Sequence, residues 1–270
     1  MKVTIVVDNI EHAGIPGEWG FCAYIEQNGK KLLLDTGASN LFAENAEKLN
    51  IDLKDIDFAV LSHAHYDHAN GMEKFFEINR KAPFYLQEGC GENCYFKKGF
   101  IRKYIGIPKG ITKKYRDRIE YVSGVYTVAD GIYLVSHSTP HLEQIGKKEM
   151  MYQKTKLGWK PDNFCHEQSL VLDTDGGLVI FNSCSHGGVV NIINEVKAAF
   201  PNKKITALIG GFHIFKHPEA EIRELAKLIK ETGIERIYTG HCSKERGYRI
   251  LREELGDMAG QFYVGMELVF

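Results

Sequence analysis

Three histidines and one aspartate fall within six positions of this 270-residue chain, in the segment LSHAHYDHANG. The segment ends an apolar run from Asp57 that predicts a buried strand, and a helical pattern begins at Gly71. A loop at a strand end can aim neighbouring side chains at one point, and imidazole nitrogens with carboxylate oxygens suit zinc and similar divalent metals. The chain is therefore expected to fold so that a strand ends at a metal centre.

The four ligand-type residues of this segment are His63, His65, Asp67 and His68. A single tetrahedral site can hardly take all four and remain open to substrate, so the cluster predicts two metal ions. The alternative is that these histidines are solvated or hydrogen-bonded structural residues, as a lone histidine usually is. Because only 11 of the 270 residues are histidine, such a cluster is unexpected by chance, and we favour metal binding.

The patterns along the chain predict a layered α/β fold. Strand patterns begin at Lys2, Phe21 and Lys30, and strands then alternate with helical segments, of which the one at 219–232 places its apolar residues on one face. A hairpin is expected where residues 169–172 and 178–181 flank turn residues at 175–177. Two mixed sheets packed together, with helices outside, would accommodate this order.

No linker or low-complexity segment divides the chain, so we expect one domain over residues 1–270. Two irregular stretches, near 89–118 and 139–166, exceed the usual loop length of about 12 to 15 residues. We predict that they are functional lids with some structure of their own.

Composition limits the partners of the chain. Its hydrophobic fraction is 44%, its charged fraction 26% and its formal net charge −1, so the chain has no overall field to attract nucleic acid or anionic lipid. The first residues resemble no signal peptide, and no run of about 18 apolar residues occurs. The six cysteines are scattered, Cys90 and Cys94 included, and are interpreted as reduced. We expect a cytoplasmic protein with no membrane partner; a homo-oligomer is left open.

The metal-ligand segment resembles the hallmark His-x-His-x-Asp-His of the metallo-β-lactamase superfamily, and the resemblance covers nearly the whole chain. LLLDTG at Leu32 looks like the Asp-Thr-Gly motif of that superfamily. NSCSHGGVVNI, IGGFHIF and YTGHC are similar to the branch that includes the dihydropterin synthase of methanopterin-type cofactor biosynthesis. The resemblance implies a four-layer αββα sandwich of two mixed β-sheets, the metallo-β-lactamase fold.

The same resemblance implies a ligand set. His63 and His65 would bind the first metal, and Asp67, His68 and His241 the second. His186 is the candidate third ligand of the first site, although His166 stands near the position of the usual earlier histidine, so that choice stays open. The segment CSH stands where the superfamily has a bridging aspartate, and no bridging carboxylate is evident. The glycines after His186 and the helix that they introduce could also present backbone N–H groups to an anion.

Two further residues lie at predicted strand ends. His213 is a candidate for substrate contact or general acid catalysis, weighed equally with a packed structural histidine; Asp67 is the other candidate catalytic residue. Asp35 could accept the second N–H of a metal-bound imidazole, or cap the turn that follows it.

The predicted reaction is hydrolysis of a small substrate by hydroxide generated at two divalent metal ions, with zinc preferred and manganese or iron as alternatives. The resemblance implies an alternative, a transferase that joins a dihydropterin to its partner by displacing pyrophosphate. A nuclease is a further alternative and a non-catalytic metal scaffold a weaker one. The first lid supplies basic and aromatic residues that suit a phosphorylated, ring-containing substrate: Lys97, Lys98, Phe100, Arg102, Lys103, Tyr104, Lys109, Lys113, Lys114, Tyr115 and Arg116. For any one of them, a solvated basic surface or a contact in an oligomer is at least as good an interpretation.

Overall fold

The computed structural model describes all residues 1–270, and its strands form three sheets. In chain order the strands are β1 (Lys2–Val7), β2 (Cys22–Gln27), β3 (Lys30–Leu34), β4 (Phe58–Val60), β5 (Phe84–Gln87), β6 (Cys94–Lys98), β7 (Ile101–Tyr104), β8 (Ile119–Val122), β9 (Val125–Ala129), β10 (Ile132–Ser136), β11 (Met151–Thr155), β12 (Gly158–Pro161), β13 (Gln168–Thr174), β14 (Gly177–Phe181), β15 (Ile205–Ile209), β16 (Arg236–Thr239), β17 (Ala259–Gln261) and β18 (Glu267–Val269).

Eight α-helices and four short 3₁₀ helices connect these strands. The α-helices are α1 (Leu41–Lys48), α2 (Tyr66–Ala69), α3 (Met72–Ile78), α4 (Ile111–Lys114), α5 (Glu143–Lys148), α6 (Val189–Ala199), α7 (Glu219–Glu231) and α8 (Lys244–Leu255). The 3₁₀ helices are Leu53–Asp55, Arg116–Arg118, His241–Ser243 and Gly256–Met258. No helix combines the length and the apolar character that a bilayer span requires.

Two seven-stranded sheets carry the fold. The first has the order β18-β1-β2-β3-β4-β5-β8, and the second has the order β17-β16-β15-β14-β13-β10-β9. Both are mixed: β3, β4, β5 and β8 pair in parallel in the first, and β14 to β17 pair in parallel in the second, whereas the remaining pairings are antiparallel. The predicted hairpin is confirmed as β13 and β14, joined by a turn at residues 175–176.

The sheets are covered on both faces, which explains their nearly continuous apolar sequences. Leu32 and Leu34 of β3 enter the core between the two sheets, whereas Leu33 packs in the core beneath α1 and α3. On the second sheet, Ile180 of β14 packs in a third core with residues of α6, α7 and α8. Alternate residues of a strand thus face different layers, and the predicted four-layer αββα sandwich is confirmed.

The segments predicted as lids, near 89–118 and 139–166, pair with each other. Strands β6 and β7 from the first segment and β11 and β12 from the second form a four-stranded sheet with the order β12-β11-β6-β7. Met151 of β11 pairs with Phe96 of β6. The backbone of this unit also reaches the ligand loop, because Tyr66 N–H donates to the Ile105 carbonyl. The two segments therefore form one small sheet beside the metal-ligand loop.

Candidate metal centre

The candidate ligands meet because they follow parallel strands of both sheets. His63 and His65 follow β4, His186 follows β14 and His241 follows β16. The carboxyl ends of parallel strands share one edge of a sheet, and ligands of open α/β sheets bind at that edge. Packing the two sheets face to face brings the two edges together, so residues more than 100 positions apart in the sequence become neighbours.

The first group of ligands consists of His63, His65 and His186. Their ring centroids lie 4.6 to 4.9 Å apart, and Nδ1 of His65 lies 3.1 Å from Nε2 of His186. All three side chains are buried, and Nε2 of His63 has no hydrogen-bond partner in the protein. A buried imidazole nitrogen without a partner is costly unless something else satisfies it, and a metal ion does so.

The second group consists of Asp67, His68 and His241. Nε2 of His68 lies 3.2 Å from Nε2 of His241, and Oδ2 of Asp67 lies 3.9 and 3.6 Å from these two nitrogens. Two nitrogens bound to one tetrahedral zinc at about 2.0–2.1 Å are about 3.3 Å apart. The spacing in both groups therefore fits ligands that surround a divalent cation.

The protonation of three of the ligand histidines suits the same role. Burial, together with the positive charges that neighbouring imidazoles would carry, lowers the pKa of His63, His186 and His241 well below its usual range. These imidazoles are therefore neutral near pH 7, and a neutral imidazole is the form that binds metal.

Asp35 orients one histidine from each group. Its Oδ2 accepts from Nδ1 of His68 at 2.7 Å and from the Ser62 hydroxyl at 2.7 Å, and that hydroxyl lies 2.9 Å from Nδ1 of His63. Because the serine proton goes to Asp35, the serine oxygen accepts from His63. Both rings consequently carry their proton on Nδ1 and direct the Nε2 lone pair into the cluster, which is how carboxylates support metal-bound imidazoles.

His166 has both of its ring nitrogens engaged. Nδ1 accepts the backbone N–H of Ala64 at 3.1 Å, and Nε2 lies 3.1 Å from Oδ2 of Asp162. His186 instead places Nε2 directly against His65. Of the two alternatives for the third ligand, the geometry favours His186, whereas His166 supports the backbone between His63 and His65.

Cys184 is a candidate ligand that the sequence analysis did not single out. Its Sγ lies 3.3 Å from Nε2 of His68, and it forms ligand-sized groups both with His63 and His68 and with His241 and Cys242. It belongs to the segment CSH, which stands where the bridging aspartate was expected. The signal was present in the segment CSH, because a thiolate also binds zinc.

His213 lies beside the cluster but in neither group. Its ring centroid is 4.4 Å from that of His186, and its Nδ1 has no partner in the protein. Its Nε2 lies 3.8 Å from Oε2 of Glu149, and its backbone has a left-handed φ of +50°. A non-glycine residue in that region stores strain, which is common at functional sites.

A cleft of about 360 Å³ opens onto both ligand groups and His213. Its walls contain aromatic side chains and the cations Lys103 and Lys216. The aromatic residues are Trp19, Tyr66, Phe96 and Phe215. This size is typical of small-molecule sites.

Most of the basic lid residues lie outside this cleft. Among the basic residues of the first lid, only Lys103 lines it; Lys114 instead pairs with Glu73, and Phe100 is fully exposed. Lys216 and Trp19, which the sequence analysis missed, come from loops that follow β15 and β1. Of the basic lid residues, Lys103 is therefore the one placed to contact a substrate in this cleft.

The backbone N–H groups of Gly187 and Gly188, the two glycines that follow His186, are engaged within the protein and are not available to a substrate anion. The N–H of Gly187 donates to Oε2 of Glu167, and the N–H of Gly188 donates to the Ser185 carbonyl. A carboxylate of the protein itself occupies the position predicted for an external anion.

Comparisons with known proteins agree with this architecture. Residues 19–146 match the family model described as the metallo-beta-lactamase superfamily. The chain is 29% identical to the 7,8-dihydropterin-6-methyl-4-(beta-D-ribofuranosyl)-aminobenzene-5'-phosphate synthase of Methanocaldococcus jannaschii, over 93% of this chain and 88% of that protein.

Solved structures show the same fold. Tm1679, described as a metal-dependent hydrolase of the beta-lactamase superfamily, superposes with a TM-score of 0.85 at 26% identity, covering 100% of this chain and 99% of that one. Zn(2+)-bound PqqB from Methylobacterium extorquens has a TM-score of 0.58 at 12% identity, with both chains fully covered, and so shares the fold alone. With the αββα layers and the clustered ligands, these matches show that the chain has the fold of the metallo-beta-lactamase superfamily, whose family model residues 19–146 match.

Proposed function

We propose that this chain is a binuclear metal-dependent hydrolase of a small, phosphorylated substrate that carries a ring. The observation that supports it most is the position of two ligand groups at the base of one aromatic, lysine-bearing cleft. Zinc is the preferred metal, with manganese or iron as alternatives, because histidine-rich sites with one carboxylate accept all three.

When bound, two divalent cations would supply hydroxide near neutral pH and stabilise the oxygens of the displacement. His63, His65 and His186 would hold the first ion, and Asp67, His68 and His241 the second. Only one oxygen of Asp67 faces the imidazoles of the second group, so its other oxygen could accept a proton from the attacking water.

The walls of the cleft would orient the substrate. Trp19 and Phe215 pack edge to face at 5.7 Å and offer an apolar surface to a ring, while Lys103 and Lys216 approach from separate elements to pair with phosphate oxygens. His213, whose Nδ1 has no protein partner, would contact the substrate or protonate the leaving group.

A dihydropterin-joining transferase is the second candidate. The relative from Methanocaldococcus jannaschii carries the name of a synthase, and its similarity spans 93% of this chain. The same ligand groups would then stabilise a pyrophosphate leaving group while a second substrate attacks. A nuclease receives less support, because Lys103 alone of the basic segment lines the cleft.

Metal analysis and an isotope experiment would test the proposal and separate the two reactions. We expect about two metals per chain, loss of turnover with a chelator, and recovery with zinc. Assays in ¹⁸O-labelled water would use p-nitrophenyl phosphate, bis(p-nitrophenyl) phosphate and a dihydropterin pyrophosphate, the last with and without an aminobenzene acceptor. Label in the organic or phosphate product supports hydrolysis, whereas an unlabelled, acceptor-dependent product supports the transferase.

Variants locate the activity in the ligand groups. His68→Ala should lose one metal and its turnover, whereas the matched control His141→Ala, which alters an exposed histidine outside the cluster, should retain both. Full turnover in metal-free protein, or in His68→Ala, would refute the binuclear mechanism.

A further inference from the structure

The backbone of His186 is attached to a buried carboxylate. Oε1 of Glu167 accepts the N–H of His186 at 2.9 Å, and Oε2 accepts the N–H of Gly187 at 2.8 Å. The Glu167 side chain has no exposed surface. One side chain immediately before β13 therefore fixes two successive peptide groups of the loop that presents His186 to the cluster.

A histidine links this carboxylate to a second one. Nε2 of His137 lies 2.5 Å from Oε2 of Glu167, and Nδ1 lies 2.8 Å from Oε2 of Glu195. Both ring nitrogens face carboxylate oxygens, so both carry protons and the ring is an imidazolium. The remaining oxygen of Glu195 accepts the backbone N–H groups of Ser138 and Thr139 and the Thr139 hydroxyl.

These three side chains, Glu167, His137 and Glu195, form what we call the carboxylate brace. Burying charges is costly unless each is paired and hydrogen-bonded, and every oxygen and ring nitrogen of the brace has such a partner. None of the three lines the cleft, so the brace does not contact the substrate.

The loop around His186 has little freedom to adopt another conformation. A Cβ atom added to Gly187 would come within 2.3 Å of the His137 ring, so this ring packs directly against the glycine backbone. Ser185, on the other side of His186, has a left-handed φ of +53°, and its N–H donates to Oδ1 of Asn182. A strained conformation of this kind persists only when its surroundings hold it in place.

We propose that the carboxylate brace positions His186, through its backbone, as the third ligand of the first metal. The proposal rests on the proposed function, because it takes His186 to be a metal ligand. Residues that orient metal ligands without touching the metal typically change metal affinity by about 10- to 100-fold when they are replaced. Glu167 would be a positioning residue and not a catalytic one.

Glu167→Gln tests the brace with little change in size. A glutamine has one oxygen and one NH₂ group, so at least one of the two backbone N–H groups would face another donor. We expect the affinity of the first site for zinc to fall by about 10- to 100-fold, measured by competition with a chromophoric chelator, while the second site keeps its affinity. When the protein is loaded with two equivalents of cobalt(II), the d–d absorption of the ion in the first site should differ from that of wild type, while the absorption of the ion in the second site should not.

Steady-state kinetics provide a readout that general destabilisation would not give. At saturating zinc we expect kcat to fall while KM stays within about twofold of wild type, because the brace does not line the cleft. Glu120→Gln, an exposed glutamate on β8, is the matched control and should leave both parameters and both metal affinities unchanged. Glu195→Gln, one hydrogen bond farther from His186, should show a smaller loss in the same direction and replaces Glu167→Gln if that variant does not fold.

The outcomes separate this proposal from the proposed function. His186→Ala should lose the first metal entirely. If His186→Ala loses one metal while folded Glu167→Gln and Glu195→Gln keep wild-type zinc affinity, the brace proposal is refuted and the metal centre stands. If His186→Ala keeps both metals, the assignment of the first site itself is wrong.

Discussion

Replacing Asp35 with asparagine would remove the acceptor that orients a histidine from each ligand group. In the native protein Oδ1 of Asp35 accepts the N–H of Ser62 at 2.7 Å, and Oδ2 accepts from His68 and from the Ser62 hydroxyl at 2.7 Å each. All three contacts are buried. An asparagine retains only one of the two oxygens, so it has to place its NH₂ group in one of these two positions.

Either placement is unfavourable. If the NH₂ group replaces Oδ1, it faces the N–H of Ser62, and a buried donor without an acceptor costs about 1–3 kcal/mol. If it replaces Oδ2, it donates towards Nδ1 of His68, and that ring has to carry its proton on Nε2. The proton then occupies the nitrogen that faces His241 and the second metal.

We therefore expect Asp35→Asn to bind the second metal about 10- to 100-fold more weakly, which corresponds to about 1.4–2.7 kcal/mol. The metal-free variant should also unfold with a free energy lower by about 1–3 kcal/mol, because one buried donor is left unpaired. Zinc affinity would be measured by chelator competition and stability by urea denaturation, with the exposed Asp175→Asn as control. Wild-type zinc affinity in folded Asp35→Asn would show that this carboxylate does not set the tautomer.

Three further results are expected. Gly187→Ala should lower the midpoint of urea unfolding by an amount that corresponds to about 1–3 kcal/mol, because the added Cβ would overlap the His137 ring. The control Gly176→Ala, in an open turn, should change the midpoint little. Equal midpoints in the two variants would contradict the packing of Gly187 against His137. Burial lowers the pKa of His137, but its hydrogen bonds to two glutamates outweigh burial and raise the pKa to about 10. The protonated His137 ring therefore stabilises the fold fully below about pH 6.5, and this stabilisation is lost as pH rises towards 10. Over that pH range the free energy of unfolding of the metal-free wild type should decline more steeply than that of metal-free His137→Gln. Lys103→Met and Lys216→Met should each raise KM for a phosphorylated substrate by about tenfold or more at nearly constant kcat, and an unchanged KM in both would exclude phosphate contact.

The fold could be predicted from the sequence because its signals are local. The strand patterns from Lys2 and Lys30, the turn at Asp175 and the one-sided helix from Glu219 each depend on residues a few positions apart, and each occurs where it was expected. The ligand segment from His63 to His68 is equally local. The pairing of the two lid segments was not accessible in this way, because β6 and β11 are more than 50 residues apart and neither has a pattern that specifies its partner.

The parts of the site that could not be predicted from the sequence had a different cause. Choosing between His166 and His186 required knowing which imidazole already had its nitrogens engaged, and that depends on Asp162 and on the backbone of Ala64. The glycines after His186 suggested an anion site, and the geometry does contain an anion, but it is Glu167, located 19 positions upstream. Sequence spacing identifies residues able to bind metal, whereas the hydrogen bonds that each residue already makes decide which of them are free to do so.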